Sequence, residues 1–186
     1  MSSTQQYWAS TSSSPPLVSG TGEIRWYALY TRARHEKKVT TELQEKGLTA
    51  FLPLISERHR WSDRNKIIQV ALFPCYTFVR LEACPERRLL VLKTPGVFGF
   101  VGVGGVGLPI PDKEIEDIQT LLANDVACAL YPFMRVGKRV RIRGGCLEGV
   151  EGILVGKNSD QSLIVSVQMI QRSVAVRIDG FDVEPV

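Results

Sequence analysis

The sequence predicts an α+β protein in two folded parts, a ferredoxin-like sheet-and-helix domain followed by a small β-barrel. Three observations carry this expectation. Between Trp26 and Leu122 the segments alternate as β-α-β-β-α-β-α, and the first six follow the ferredoxin-like order. Beyond a linker at 125–134 the helical period disappears, and short alternating runs are separated by glycine turns. Ahead of both lies an uncharged leader rich in Ser and Thr, so the expected domains are 24–124 and 135–186 after a disordered leader at 1–23.

Each element has a local reason. Trp26-Tyr27-Ala28-Leu29-Tyr30 is an aromatic and apolar run suited to a strand. The spacing of Val39 and Leu43 predicts a helix over 34–46, and Gly47 stands where a left-handed cap belongs. Residues 51–55 begin a second strand. The polar, basic stretch 56–66 suits a hairpin or loop, with Ile67 to Ala71 as its returning arm. Residues 72–79 read as the next strand, with Pro74 near its start, where a missing N–H is tolerated. Pro85 opens a short helix ending near Lys93, and Pro95-Gly96 breaks it. Phe98 to Val101 is strand-like. Asp112 starts a third helix whose apolar face is Ile115, Ile118, Leu121 and Leu122. In the last part Val140-Arg141-Ile142-Arg143 alternates, Gly144-Gly145 and Gly149-x-x-Gly152 mark turns, and 163–169 and 174–178 are two further strands.

Composition narrows the function classes. The chain has 186 residues, 44% hydrophobic and 23% charged, which excludes wholesale disorder. No apolar run reaches the ~18 residues of a membrane-spanning helix, and the leader has neither a basic n-region nor an apolar h-region, so neither a membrane partner nor a secretory signal is expected. Four cysteines at 75, 84, 128 and 146 form no C-x-x-C pair, and only His35 and His59 accompany them. Reduced thiols in a cytoplasmic protein are expected, without structural zinc or a disulfide framework.

The net charge of +4 is modest, but it is unevenly placed. Residues 25–66 hold ten Lys/Arg against five Asp/Glu, and the remainder of the chain nets −1. Arg32, Arg34, Lys37 and Lys38 sit at the first strand-to-helix junction. Arg58, Arg60, Arg64 and Lys66 sit in the hairpin beside His59 and Trp61. Basic side chains around an aromatic suit phosphate contact with base stacking. A solvated charged face accounts for the same pattern.

Catalytic motifs are weak. Gly102-Val103-Gly104-Gly105-Val106-Gly107 spells G-x-G-x-x-G after a strand. A dinucleotide site needs a helix to start at those glycines, so that its first amides meet the pyrophosphate. Pro109 and Pro111 intervene, so a turn is the better reading. No Ser-His-Asp or Cys-His set can be assembled. The acidic cluster Asp112, Glu114, Glu116 and Asp117 complements a helix dipole without acid–base chemistry. The expectation is a protein that is not an enzyme and takes no cofactor or catalytic metal.

The segments Trp26 to Tyr30, Phe73-Pro74-Cys75-Tyr76-Thr77-Phe78-Val79, Pro95-Gly96-Val97 and Pro109 to Ile115 together resemble the NusG family of transcription elongation factors. Gly137-Lys138-Arg139-Val140-Arg141-Ile142, with Glu148-Gly149-Val150-Glu151-Gly152, is similar to a KOW domain. The resemblance covers 26–186. Residues 26–39, with His35-Glu36-Lys37-Lys38, look more like the specialised paralogues of the UpxY and RfaH types.

What the resemblance implies is specific. The fold would be a ferredoxin-like N-terminal domain and a five-stranded KOW (SH3-like) barrel, and the protein a cytoplasmic monomer. Its partner would be RNA polymerase, gripped at the clamp so that pausing or termination is suppressed, at selected operons in a specialised paralogue. The docking patch maps to Tyr30, Phe73, Pro74, Tyr76 and Phe78. Residues of equal parity share a strand face, so Tyr76 and Phe78 point with Pro74, and Phe73 points away. Exposed non-template DNA would meet Arg32, Arg34, His35 and Lys38. A gate-loop contact on the second helix maps to Arg87-Arg88-Leu89, which lacks the family's His-Thr-Thr run. The barrel loop that recruits Rho or ribosomal protein S10 maps to Met169-Ile170-Gln171-Arg172, with Ile170 as its apolar contact. No fold-switching helical hairpin is expected from so β-forming a barrel. A stand-alone KOW-type RNA-binding or ribosome-associated protein is the competing function.

Overall fold

The computed structural model describes residues 22–60, 65–124, 126, 128–131, 133, 137–155, 162–178 and 181–186. Residues 1–21 of the expected leader (with Tyr7 and Trp8), the hairpin residues Trp61 and Arg64, and part of the expected linker lie outside them.

The first domain is built on a four-stranded antiparallel sheet of order β2-β5-β1-β6. Its strands are β1 (Ile24–Thr31), β2 (Thr49–Phe51), β5 (Tyr76–Glu82) and β6 (Val97–Phe100). Period-two alternation along β1 serves two cores at once. Tyr27 and Leu29 face α1 (Glu36–Glu45) and α2 (Pro85–Leu92), where they pack with Val39, Leu43, Val79, Leu81 and Val91. Trp26 and Ala28 face the other way, with Phe78, onto Ile115, Ile118 and Leu121 of α3 (Asp112–Ala123). Each of the Val, Leu, Ile and Phe side chains among these contributes about 1.5–3 kcal/mol on burial.

Helix α1 ends as its sequence requires. Gly47 takes φ +76°, its N–H bonds the Gln44 carbonyl, and the Leu48 N–H reaches back to Leu43. That pair of bonds is a Schellman cap, and Leu48 packs in the same core as Leu43. Helix α3 begins at Asp112 and not at the glycines. Residues 102–107 form a turn closed by the Leu108 N–H on the Val101 carbonyl. Gly107 has φ +70°, and a Cβ there would meet the Phe100 ring at 2.8 Å. These glycines therefore serve a tight turn and offer no cradle at a helix start.

Two boundaries differ from expectation, and between them the expected hairpin stands by itself. The run 51–55 is not one strand, because Leu52 and buried Pro53 separate β2 from β3 (Leu54–Arg60). β3 pairs only with β4 (Asn65–Ala71), so the basic stretch is a separate two-stranded hairpin. The strand expected to start at 72 starts at Tyr76, since residues 72–75 turn, with the Tyr76 N–H on the Phe73 carbonyl.

The second unit is a six-stranded antiparallel sheet of order β12-β8-β9-β10-β11-β7. Three of its strands fall where the sequence places them, β8 (Lys138–Arg143), β10 (Ser162–Val167) and β11 (Arg172–Arg177), and two more, β9 (Glu151–Val155) and β12 (Asp182–Pro185), complete the number the resemblance implies. The sixth, β7 (Cys128–Tyr131), comes from the expected linker and pairs with β11. Along β8 Val140 and Ile142 are buried, while Arg139, Arg141 and Arg143 face solvent. Among the described residues no helix is long and apolar enough to cross a membrane.

Gly152 is a point of close backbone approach in this sheet. A Cβ would lie 2.5 Å from the Ile164 carbonyl oxygen and 2.8 Å from Leu163 Cγ. Gly152→Ala is therefore expected to cost about 1–3 kcal/mol through overpacking. Urea unfolding followed by circular dichroism measures it as a lowered midpoint.

Candidate functional site

The main candidate surface gathers where β1 runs out of the sheet. Tyr30 pairs with Tyr76 across the β1–β5 ladder, and their rings lie 5.7 Å apart. On the other side Tyr30 meets Phe98 at 5.6 Å. Tyr30 is 46% exposed and Phe98 65%, so apolar ring surface stands in water. Pro74 is exposed in the adjoining turn. Contiguous exposed aromatics of this kind mark interaction surfaces.

Phe98 was not among the residues singled out from the sequence. Its parity matches Phe100, which is buried on the helix-covered face. The β1–β6 register shifts between Tyr30 and Thr31, with Tyr30 opposite Gly99 and Thr31 opposite Val97. Phe98 is the extra residue of that irregularity, and it turns to the Tyr30 side. Strand alternation alone cannot reveal a bulge.

Phe73 and Phe78 have a different place. Both are fully buried and pack edge to face at 6.3 Å. In this structure they lie in the core and add no exposed surface, and Phe51 stacks on Phe78 at 6.2 Å. The reason is α3, which covers that face of β5 beyond Tyr76.

The basic junction adjoins the aromatic rings. Arg32 and Arg34 are exposed, and Arg34 adopts a left-handed φ of +64°. Lys38 is exposed and 3.8 Å from Glu42 one turn on. Such a pair is worth only about 0.3–0.5 kcal/mol, so the charge stays available. His35 is half-buried against Gly96, where its Nδ1 would lie 3.4 Å from a Cβ. The Arg32 N–H bonds the Gly96 carbonyl, which ties the junction to the strand carrying Phe98. Lys37 donates to the Gln69 carbonyl at 2.7 Å, so the hairpin is held against α1. On α2, Arg88 lies over the Phe100 ring at 5.1 Å, whereas Leu89 is exposed.

A second region joins the two units. Helix α3 buries Ile115, Ile118 and Leu121 in one cluster with Val140, Leu147, Val165 and Ile170 of the β-rich unit. Its polar side chains complete backbone groups across the boundary. Glu114 accepts from the Gln168 N–H at 3.0 Å, Asp117 from the Glu151 N–H at 3.5 Å, and Asn124 donates to the Cys146 carbonyl at 2.9 Å. Lys113 donates to the Gly149 carbonyl at 2.6 Å and pairs with Asp117. Ile170 is only 5% exposed in this arrangement. Burial raises the Glu114 carboxyl pKa against the opposing pull of the Gln168 amide and Arg139. Burial likewise raises Asp117 despite Lys113 beside it. Among the described residues no group of three His, Cys, Asp or Glu is placed to hold a metal ion.

A ferredoxin-like sheet-and-helix domain followed by a β-rich unit defines the class as a two-part α+β protein. The family profile described as "Transcription termination factor nusG" matches residues 24–119. The "Transcription termination/antitermination protein NusG" of Lactococcus lactis is 30% identical over 173 residues, spanning 87% of this chain and 92% of that protein. The protein of the same name from Borreliella burgdorferi is 28% identical over 182 residues, covering 87% and 98%. A solved structure titled "Domain interaction in Thermotoga maritima NusG" shares the fold, with a TM-score of 0.51 at 22% identity over 83% of this chain and 93% of that one. This chain belongs to the NusG family.

The raised carboxyl pKa values carry a sign. A group whose pKa is higher in the docked arrangement than in free solvent takes up protons on docking. Docking of the β-rich unit on α3 is therefore expected to be tightest below the ordinary carboxylate range, and to loosen as pH rises through the raised values. Amide exchange of Gln168 and Glu151 across a pH series, corrected for intrinsic rates, measures this. Glu114→Gln is expected to flatten the trend.

Proposed function

We propose that this chain is a transcription elongation and antitermination factor that docks on RNA polymerase through Tyr30, Pro74, Tyr76 and Phe98. The observation that carries the reading is the exposed ring cluster, 5.6 to 5.7 Å between centroids, set directly beside Arg32 and Arg34. Aromatic anchors of this type dominate protein interfaces. Phe73 and Phe78 contribute from beneath, by packing the face on which Tyr76 rests. The clamp is the part of polymerase this patch would meet.

The basic junction supplies the second contact. Arg32, Arg34 and Lys38 would meet the phosphates of exposed non-template DNA, with half-buried His35 shaping the turn. Together the two surfaces would hold polymerase and strand in one grip, opposing pausing at selected operons. The relatives' names support the transcription role. Recruitment of Rho or ribosomal protein S10 through Ile170 would require that residue to leave its present cover. The competing reading, a stand-alone RNA-binding barrel, has less support, because the family match falls on residues 24–119, ahead of the barrel.

Two measurements test the reading. Tyr76→Ala is expected to weaken binding to bacterial core polymerase by about 2 kcal/mol, roughly thirtyfold, without unfolding the domain. Equal binding by the folded variant would count against the patch. Replacing Arg32, Arg34 and Lys38 with Gln is expected to lower the salt-dependence slope of single-stranded DNA binding by about two. Transcription in vitro with and without Rho then reads the direction of the effect.

A further inference from the structure

Cys75 stands at the seam between the aromatic cluster and the basic junction. It precedes β5, one residue before Tyr76, and takes φ +68°. That left-handed conformation is disfavoured for a residue with a side chain. Two bonds hold it there. Its carbonyl accepts the Thr31 N–H at 2.9 Å, and its own N–H donates to Glu36 Oε1 at 2.8 Å.

Glu36 is an unusual partner for this amide. It sits in the first turn of α1, where a carboxylate suits the helix dipole. Yet it is 7% exposed and turned inward, away from its basic neighbours. A buried carboxylate needs donors, and among the described residues the Cys75 amide supplies one. One turn on, Thr40 bonds Thr77 at 2.8 Å, so α1 grips β5 at a second point. The charged bond thus lies between the element bearing Arg34 and Lys38 and the turn that launches Tyr76.

From this geometry we infer that Glu36 is a positioning residue: it holds Cys75 left-handed and so sets the Tyr76 ring against Tyr30, linking the helix of the basic junction to the docking patch. The inference rests on the docking role proposed above. It does not require Glu36 to touch polymerase or nucleic acid.

The test uses the full chain and bacterial core RNA polymerase, with folding checked by circular dichroism. Glu36→Ala is expected to weaken binding about tenfold, as the loss of one charge-assisted bond to a buried amide implies. Glu36→Gln keeps an acceptor oxygen and is expected to bind like the parent. The decisive protein is Glu36→Ala with Cys75→Gly. Glycine adopts the left-handed conformation without a side-chain penalty, so most of the affinity should return. A folded double variant as weak as Glu36→Ala overturns the proposal. Should Glu36→Ala not fold, Cys75→Val carries the test. It leaves the carboxylate intact but opposes the same backbone conformation, and parent-like binding by folded Cys75→Val overturns the proposal equally.

A readout without polymerase separates the two claims. Ring-to-ring NOEs between Tyr30 and Tyr76 should weaken in Glu36→Ala and return with Cys75→Gly; if they are unchanged in Glu36→Ala, the positioning role fails. If the NOEs follow this pattern but Tyr76→Ala binds polymerase like the parent, the positioning role stands and the docking surface is wrong.

Discussion

Everything in the first domain depends on β1 being paired on both edges. With β5 on one side and β6 on the other, its backbone groups are taken up by the ladder, and its side chains must divide between two faces. Tyr27 and Leu29 go to the core under α1 and α2, and Trp26 and Ala28 to the core under α3. From Trp26 to Leu29 the strand has no exposed face, and exposure returns at Tyr30, where the α3 cover ends. The ring cluster is thus the continuation of a core stripe past its lid. The basic residues follow because the chain must turn there to enter α1.

Helix α3 carries the complementary burden. One side of it closes the sheet with Ile115, Ile118 and Leu121. Another offers Lys113, Glu114, Asp117 and Asn124 to backbone groups of the β-rich unit. The contact is largely apolar, since Ile115, Ile118 and Leu121 share one buried cluster with Val140, Leu147, Val165 and Ile170. Desolvated carboxylates at its edge oppose its strength, since ionised groups lose hydration on docking. One continuous core with a polar edge thus joins the two units.

Much of this was legible in the sequence, for physical reasons that can be named. Gly47 marked the end of α1 because the Schellman cap needs a residue that tolerates positive φ. Val140 and Ile142 alternating with arginines marked β8, because the side-chain period of a strand is two. What the sequence does not show has another cause. Phe98 requires knowledge of a register shift, and β7 requires a partner, β11, more than forty residues away. The burial of Phe73 and Phe78 beneath the patch is set by tertiary packing alone. Glu36 looked like one more charge on a mixed-charge helix, and nothing local shows that it points inward. Short-range chemistry is written in the sequence, whereas registers and covers are set by contacts distant along it.

The pairing of β7 with β11 also fixes how far one half of the molecule can stray from the other. Between the last residue of α3, Ala123, and the first of β7, Cys128, only residues 124–127 intervene. Four residues span at most about 14 Å. Peeling β7 off its neighbour would extend the free segment to 124–137, a contour of roughly 50 Å. If the cluster shared with α3 opened, the short tether would keep the β-rich unit close to the helix, and the long one would let it move several times farther. A single four-residue strand thereby sets how far the two halves could part.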